Sequence, residues 1–401
     1  MSPRLLLLSQ TLPYPPDSGV KIRAFHTLRI LSRRFDITAL AFFRREQTAE
    51  GGIARGLEAL GEYARIEAFP VPQEWSRARW VWDHLRSVPS RRPYTEFVFE
   101  SRDFRERLER VRRDEEFDLV HLESSVLAPL LPNLPEAPRV CVHHNVESEL
   151  LTRRAEVAKN PLTALYLRLQ SDLVRRSERY FSPYMDCNIT VSERDEATLR
   201  SIAPEATFTT IPNGVDTDAF RPVDGPTIGI VLLGGTDWFP NLDGLEFFAE
   251  EVLPRIRRER PDVPVTSVGR ASEAEIGRFR RHGIELTGYV DDIRPHVHRA
   301  RCLVVPLRVG GGSRLKILDA WAMGKAVVTT SVGCEGLAAR DGDNALVRDD
   351  AEGLATAVLR LLDDEALARR LGAAARREAV ESHSWEAIAG PMLRVYERLL
   401  E

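Results

Sequence analysis

The chain has 401 residues, which is too many for one ordinary hydrophobic core and predicts two domains of roughly 200 residues each. Hydrophobic residues make up 43% of the chain and charged residues 29%, a composition typical of soluble globular proteins. The formal net charge of -4 argues against nucleic acid as a partner.

Cysteine usage and apolar runs indicate the compartment. The four cysteines show no Cys-x-x-Cys spacing, so free thiols in a reducing compartment are expected. The first apolar run, Arg4–Ser9, is too short for a signal peptide, and no run approaches the roughly 20 residues that span a bilayer. We therefore expect a cytoplasmic protein.

In the first half of the chain, apolar strand-like runs alternate with helix-like stretches. Strands are predicted at Arg4–Ser9, Asp36–Phe43, Phe117–Glu123, Arg139–His144 and Cys187–Ser192. A helix is predicted over about 21–33, and Ser192 is expected to cap another. Continuous apolar strands separated by helices predict a parallel sheet that is covered on both faces.

The same alternation restarts after a segment rich in Pro, Gly and Asp. Strands are predicted at Thr227–Gly235, Val263–Gly269, Ile284–Gly288, Cys302–Leu307 and Ala326–Thr330, and helices over about 241–256, 352–380 and 385–400. The expected fold class is α/β, with two doubly wound, Rossmann-like domains. The expected division is a first domain at 1–211, a linker at 212–226, a second domain at 227–380, and a last helix at 381–401 that returns to the first domain.

A glycine-rich turn follows the predicted strand Cys302–Leu307. In open α/β sheets, ligands bind at the carboxyl ends of strands, and glycines let backbone N–H groups approach a ligand closely. The helix that begins after Gly310–Ser313 brings its N-terminus, Arg314 and Lys316 to the same place, which suits a diphosphate. A plain turn with solvated basic residues is the alternative. Lys325, past the end of this helix, is expected to be solvated.

A second turn of the same design lies in LLGGTDWFPN, at Leu232–Asn241. Two such turns in one domain can face one another across the strand ends, which favours a nucleotide diphosphate over either turn alone. Neither turn matches G-x-G-x-x-G or the P-loop pattern, so no motif supports a dinucleotide or a P-loop site.

The succession TVSERD, IPNGVD and Phe220, followed by GGGSRLKILDAWAMGKAVVTTSVGCEGL, resembles the family-4 retaining glycosyltransferases. The resemblance covers nearly the whole chain and is nearest to the branch with PLR-x-G-G-G-[ST]-R-x-K. It implies a GT-B type fold, in which two Rossmann-like domains face one another across a cleft. It also implies retaining transfer of a sugar from a nucleotide diphosphate to a glycan, lipid-linked or small-molecule acceptor, without a cofactor or a metal.

One departure from the family pattern affects the expected site. The family's E-x7-E pattern falls on Gly311 and Asp319, so the first glutamate is absent. The Gly234–Gly235 turn also lacks the basic residues that the family carries there. Arg314 and Lys316 are expected to supply this charge instead.

The donor contacts are expected mainly in the second domain. Those expected to hold the diphosphate are Arg314, Lys316, Gly234, Gly235, Gly311, Gly312 and Ser313, with Gly19 from the first domain. Asp319 is expected to accept hydrogen bonds from the ribose, and the resemblance places the base near Tyr289 and Val290.

The acceptor contacts are expected at the end of the predicted strand Arg139–His144. His143 and His144 both lie there, and strand alternation points one of them into the core. His144 is the favoured residue to accept or position the acceptor proton. His143, Asn145 and Glu147 are the other acceptor-side candidates.

Other functions remain open on this sequence. An epimerase or hydrolase of nucleotide sugars could share the fold, and the absent glutamate leaves a non-catalytic nucleotide-sugar binder open. The D-x-D at Asp216–Asp218 is expected to form a turn rather than a metal site, and no histidine belongs to a carboxylate cluster with metal-ligand spacing.

A segment of the first domain, Glu74–Tyr94, combines three tryptophans with five arginines. Indole rings suit the headgroup level of a membrane, and guanidinium groups suit anionic phosphates. The segment predicts a peripheral contact with the inner face of a membrane or with an anionic lipid-linked acceptor. Ordinary helix packing and a soluble acceptor are the alternatives.

Overall fold

The computed structural model describes residues 2–158, 160–310 and 314–401. The chain divides into two compact units, the first formed by Met1–Pro212 with Ala389–Glu401 and the second by Asn213–Ile388. The expected linker, residues 212–226, therefore belongs to the second unit except for Pro212, and residues 389–401 belong to the first unit.

The first unit is built on a parallel sheet with seven strands among the described residues, in the order β3-β2-β1-β4-β5-β6-β7. The strands are β1 (Arg4–Ser9), β2 (Asp36–Phe43), β3 (Arg65–Pro70), β4 (Leu119–Leu122), β5 (Arg139–His143), β6 (Cys187–Thr190) and β7 (Phe208–Thr210). The order reverses direction between β1 and β4, which is where doubly wound sheets place their sites.

Helices join these strands. They are α1 (Gly19–Leu31), α2 (Gly52–Leu60), α3 (Arg77–Ser90), α4 (Thr95–Val98), α5 (Arg102–Asp114), α6 (Glu147–Glu156), α7 (Pro161–Phe181) and α8 (Glu193–Ile202). Short 3₁₀ segments lie at Arg45–Gly51, Pro72–Trp75, Ser125–Asn133 and Ser182–Tyr184. The Ser192 hydroxyl accepts a hydrogen bond from the amide of Asp195 at 3.1 Å, which confirms the predicted cap of α8.

The second unit has a parallel sheet with six strands among the described residues, in the order β10-β9-β8-β11-β12-β13. The strands are β8 (Ile230–Leu233), β9 (Val265–Val268), β10 (Glu285–Leu286), β11 (Cys302–Val305), β12 (Ala326–Thr329) and β13 (Leu346–Val347). Here the order reverses between β8 and β11, so the two glycine-rich turns follow adjacent strands on either side of the reversal.

In the second unit, helices again join the strands. They are α9 (Phe239–Phe247), a π-helical segment (Phe248–Val252), α10 (Leu253–Glu259), α11 (Glu273–Arg280), α12 (Arg294–Arg299), α13 (Leu315–Ala322), α14 (Ala351–Asp363) and α15 (Glu365–His383). The last helix, α16 (Trp385–Arg398), begins in the second unit and ends in the first.

The central strands of each sheet are buried on both faces, as their continuous apolar sequences predict. In the first unit, Phe42 stacks on Phe104 of α5 with ring centroids 4.3 Å apart, within a core of aliphatic side chains. In the second unit, Trp321 of α13 is fully buried among aliphatic side chains from β8, β11 and β12. This packing holds α13 firmly on the sheet.

Candidate functional site

The turn after β8 requires a glycine. Gly234 has a φ of 129°, in the region that L side chains rarely adopt. A Cβ atom at this position would lie 2.5 Å from Nδ2 of Asn241 and 2.8 Å from Nζ of Lys316. The absence of a side chain therefore makes room for the lysine beside the end of the strand.

Lys316 lies in the first turn of α13 and reaches back to the end of β8. Its ammonium group donates to the carbonyl of Leu233 and to Oδ1 of Asn241, the latter at 2.7 Å. Burial, with a smaller effect from the charge of Arg314, lowers the pKa of Lys316 to about 7. A charged lysine has three N–H donors, so these two bonds leave one for a ligand. Sequence reasoning did not assign a role to Asn241, although it ends the turn LLGGTDWFPN.

Arg314 is buried at the N-cap position of α13. Its guanidinium donates to the carbonyl of Val332 at 3.3 Å, and a Cβ at Gly310 would overlap it. Arg314 thus packs closely against Gly310. The predicted contacts Gly311, Gly312 and Ser313 lie outside the described residues.

Asp319 lies one turn further along α13 and is half-buried. Its carboxylate has no hydrogen-bond or ion-pair partner within the described ranges. Burial raises the pKa of Asp319 to about 7, because no positive neighbour offsets the loss of hydration. A carboxylate in this condition is available to accept hydrogen bonds from a ligand.

The turns after β8 and β9 pack backbone to backbone. Gly269 has a φ of 151°, and a Cβ there would lie 2.5 Å from the carbonyl carbon of Gly234 and 2.6 Å from the amide nitrogen of Gly235. The amide of Thr236 donates to the carbonyl of Arg270 at 2.8 Å, which fixes the two turns together. Gly235 is therefore held in close contact with the neighbouring strand end.

Tyr289 and Val290, the predicted contacts for the base, differ in exposure. Tyr289 is 54% exposed, and the guanidinium carbon of Arg270 lies 5.4 Å from the centroid of its ring. Val290 packs instead against the core of the second unit. The exposed ring of Tyr289, beside the half-buried Arg270, is the more suitable surface for stacking a planar base.

The second lysine of the glycine-rich segment does not lie in solvent. Lys325 is buried, and its ammonium group donates to the carbonyls of His298 at 2.7 Å and Ala300 at 3.2 Å. Burial lowers the pKa of Lys325 to about 8. The prediction that Lys325 is solvated was wrong. Its side chain is buried because it connects the end of α12 to the start of β12.

In the first unit, His144 follows β5 and is half-buried. Its Nε2 lies 2.7 Å from the backbone carbonyl of Glu123 and donates to it. This bond places the ring proton on Nε2 and leaves Nδ1 as the acceptor nitrogen. Burial lowers the pKa of His144, so the ring is neutral near pH 7.

A buried network lies behind His144. The carboxylate of Glu123 bonds to Nε2 of His121 at 2.6 Å, and Nδ1 of His121 bonds to the hydroxyl of Tyr396 at 2.8 Å. Burial opposes the ionisation of Glu123, but the bond to His121 and the nearby charges outweigh it and lower the pKa of the carboxylate. Sequence reasoning missed Glu123, His121 and Tyr396, because nothing in their spacing relates the last helix to β4.

His143 is a core histidine. It is only 2% exposed, its Nε2 lies 3.0 Å from Oδ1 of Asn188, and burial lowers its pKa to about 4. This is the inward position that strand alternation requires of one of the pair. The burial leaves the expected acceptor contact of His143 without structural support.

The remaining first-unit candidates lie at the ends of helices. Asn145 donates to Oε1 of Glu147 at 3.1 Å, and burial raises the pKa of Glu147. Gly19 is the exposed first residue of α1. The roles of these residues stay predictions.

Two further expectations concern metals and membranes. Oδ1 of Asp216 accepts the amides of Asp218 and Ala219 at 3.1 and 2.9 Å, so the D-x-D segment forms the predicted turn. Within the described ranges, three or more His, Cys, Asp or Glu side chains nowhere converge as metal ligands would. No helix in this part of the chain combines the length and the apolar character needed to cross a membrane.

Comparison with known proteins relates both units to one family. Residues 51–219 match the model described as Glycosyltransferase Family 4, and residues 228–364 match the model described as Glycosyl transferases group 1. The chain belongs to glycosyltransferase family 4. It is therefore a glycosyltransferase with two Rossmann-like units of the GT-B type.

Individual relatives are distant. The chain is 27% identical over 297 residues to glycogen synthase of Mycobacterium tuberculosis, covering 70% of this chain and 68% of that protein. It is 31% identical over 204 residues to phosphatidyl-myo-inositol mannosyltransferase of Mycolicibacterium smegmatis, covering 47% and 51%. Among solved structures, HepE from Anabaena in complex with UDP-glucose aligns with a TM-score of 0.67 at 14% identity, covering 98% of this chain and 99% of that one. The last likeness concerns the fold alone.

Proposed function

We propose that this family-4 glycosyltransferase is a retaining, metal-independent enzyme that takes its sugar from a nucleotide diphosphate. The observation that carries the proposal is the position of Lys316, with its ammonium group beside Gly234 at the end of β8 and an N–H donor left for a ligand. Such a group suits the charge that develops on a departing diphosphate.

The surroundings of Lys316 support a diphosphate ligand. The ammonium lies in the first turn of α13, where the helix dipole adds partial positive charge. Gly234 leaves room for the ammonium group itself at the end of β8. Because Leu233 and Asn241 hold the ammonium in place, its position costs little reorganisation when the leaving group departs.

The nucleoside half of the donor would meet Asp319 and Tyr289. The carboxylate of Asp319 can accept hydrogen bonds from the two ribose hydroxyls, and ligand binding would replace its missing partners. The exposed ring of Tyr289, with Arg270, offers a stacking surface for the base. HepE, which shares the fold, was crystallised in complex with UDP-glucose, and this supports a nucleotide sugar as the donor class.

In the first unit, Nδ1 of His144 would accept a hydrogen bond from the acceptor hydroxyl. The bond from Nε2 to the carbonyl of Glu123 fixes the tautomer that makes this possible. The acceptor class remains a glycan, a lipid-linked sugar or a small molecule. The similarity to a glycogen synthase and to a phosphatidyl-myo-inositol mannosyltransferase supports the first two.

A panel of nucleotide sugars in thermal-shift assays would identify the donor, and NMR of the product would give the anomeric configuration. We expect one nucleotide diphosphate sugar to raise the melting temperature and the product to keep the donor's configuration. Inversion would contradict the retaining assignment. Donor epimerisation, or release of free sugar without acceptor, would contradict transfer as the main reaction.

The metal requirement is tested by EDTA. Turnover is expected to survive chelation, because the positive charge that offsets the leaving diphosphate comes from side chains. Loss of turnover with EDTA and its recovery with magnesium would contradict this part of the proposal.

A further inference from the structure

Two helices of the first unit present large apolar side chains to solvent. Leu85 of α3 is 64% exposed and Leu162 of α7 is 75% exposed. We call the group the α3–α7 surface, and its members are Trp80, Trp82, Leu85, Leu162, Leu165 and Leu169. Scattered exposed leucines are ordinary, but a group of this size on adjacent helices marks an interaction surface.

Contacts between α3 and α7 make this one surface. The ring of His84 on α3 stacks on Tyr94 at 4.4 Å between centroids and on Tyr166 of α7 at 6.0 Å. Nε2 of Gln170 on α7 donates to the hydroxyl of Ser87 on α3 at 2.8 Å. The apolar side chains of the two helices are therefore exposed side by side.

The exposed charges of α3 and α7 are mostly positive. Within residues 75–92 and 161–181, the exposed charged residues are one acid, Asp172, and six arginines, Arg77, Arg91, Arg168, Arg175, Arg176 and Arg179. Of the other acids in these ranges, Asp83 is fully buried and lies 2.8 Å from the guanidinium of Arg86, and Glu178 is buried. On the side of α5, Trp82 also lines a depression with the exposed Glu106 and Glu109. The two helices thus carry a net positive charge around the apolar side chains.

The structure also reduces the number of arginines that are available to a partner. Arg79 donates to the carbonyl of Glu100 at 2.7 Å, and Arg92 pairs with Glu96 at 2.9 Å. With Arg86 held by Asp83, three of the five arginines predicted to form the patch are committed to the protein itself. Phosphate contact would fall to Arg77, Arg91 and Arg168.

We propose that the α3–α7 surface docks the first unit on an anionic lipid bilayer. Indole rings and leucines would enter the headgroup level, and the three arginines would meet lipid phosphates. A second copy of the chain fits less well, because self-pairing would set arginines against arginines, and Asp172 is the one exposed acid of the two helices that could compensate. The inference goes beyond the proposed reaction, since docking requires no turnover.

Vesicle flotation at low salt tests the surface with the full chain. Vesicles of phosphatidylglycerol with phosphatidylcholine are compared with vesicles of phosphatidylcholine alone. We expect wild type to float with the anionic vesicles and to be released by high salt, as electrostatic attraction is screened. Leu85→Gln with Leu165→Gln, and separately the triple change of Arg77, Arg91 and Arg168 to Gln, should each reduce the bound fraction at least tenfold.

Matched controls lie on the second unit. Val223→Gln with Ile228→Gln changes two exposed apolar side chains, and changing Arg221, Arg258 and Arg377 to Gln removes the same charge. Both controls should float as wild type does. Wild type that stays in the soluble fraction, or equal losses in controls and surface variants, would overturn the proposal. So would a dimer, seen in sedimentation, that Leu85→Gln with Leu165→Gln dissociates.

Discussion

The hydroxyl of Tyr396 lies 2.8 Å from Nδ1 of His121, although 275 positions separate the two residues. This bond ties the end of α16 to β4 and continues through His121 to Glu123, whose backbone carbonyl holds His144. The orientation of a candidate acceptor-side residue is therefore linked to the last helix of the chain.

Tyr396→Phe removes this bond and leaves a buried nitrogen of His121 without its partner. We expect the free energy of unfolding in urea to fall by roughly 1–3 kcal/mol, the usual cost of an unsatisfied buried polar group. Tyr184→Phe, which changes a half-exposed tyrosine, should shift it by less than about 0.5 kcal/mol. Equal effects of the two changes would show that the bond contributes little.

Lys316→Ala should reduce kcat/KM by the equivalent of roughly 2–4 kcal/mol of transition-state stabilisation, if the ammonium contacts the leaving diphosphate. Lys325→Ala should instead lower the melting temperature, because Lys325 supports two buried carbonyls. Isothermal titration with the nucleotide diphosphate, done on the folded fraction, separates the two effects. Normal affinity in Lys316→Ala would refute the phosphate role.

Proton linkage gives a second test of Lys316. Because the pKa of its ammonium is about 7 in the free protein, a diphosphate that favours the charged form should draw a proton from solution near pH 7.5. Titration in buffers of different ionisation enthalpy measures this uptake. The Lys316→Arg variant, whose guanidinium is always charged, should take up fewer protons on binding the diphosphate. Identical uptake in both proteins would place the titrating group elsewhere.

Asp319→Asn should stabilise the free protein and weaken nucleotide binding. The folded-state pKa of about 7 lies above the unfolded value of 3.8, so wild type loses stability as pH rises between these values. At pH 8 the free energy of unfolding of the variant should exceed that of wild type by about 2–4 kcal/mol. Its affinity for a nucleotide should fall by roughly 1.5–3 kcal/mol for each lost charge-assisted bond, while a 2′,3′-dideoxy nucleotide should bind both proteins alike. A variant that still discriminates as wild type does would contradict the ribose role.

Burial of His143 should make the free energy of unfolding depend on pH with the opposite sign to that of Asp319. The folded-state pKa of His143 is about 4 and lies below the ordinary value of 6.5, so the unfolded chain takes up the proton first. The contribution of His143 to the free energy of unfolding is complete above pH 6.5. It is lost as the pH falls towards 4, and the total loss is about 3 kcal/mol. Urea unfolding of wild type and His143→Leu across this range isolates the slope. Parallel curves would show that another group titrates.

The sequence predicted the strands best where both faces of the sheet are covered. The bounds of β1 and β2 match the predicted runs, because each is a continuous apolar segment. β3 was missed since its residues are half-exposed at the sheet edge and carry charged side chains. The expected helix over 352–380 is two helices, because Asp364 caps the amide of Leu367 at 2.8 Å and starts a second one.

The position of the candidate site could be predicted from the sequence, but the burial of its individual side chains could not. Glycines after strands located Gly234 and the start of α13, since doubly wound sheets keep their sites there. Whether a side chain is buried depends on residues far along the chain, which is why Lys325 appeared solvated. The leucines of α7 were overlooked for the same reason. Their helical spacing is that of a buried face, and the structure exposes them.

The division of the chain at Pro212 and again at Ile388 affects how the protein is made on the ribosome. The first and last residues of the second unit are in contact with each other. Val215 forms a β-bridge with Ser384, and the carbonyl of Asn213 accepts a hydrogen bond from His383 at 3.3 Å. It can close as soon as residue 388 has emerged. The first unit, although synthesised earlier, lacks Tyr396 until residues 389–401 follow. Translation therefore completes the two units in the reverse of the order in which it begins them.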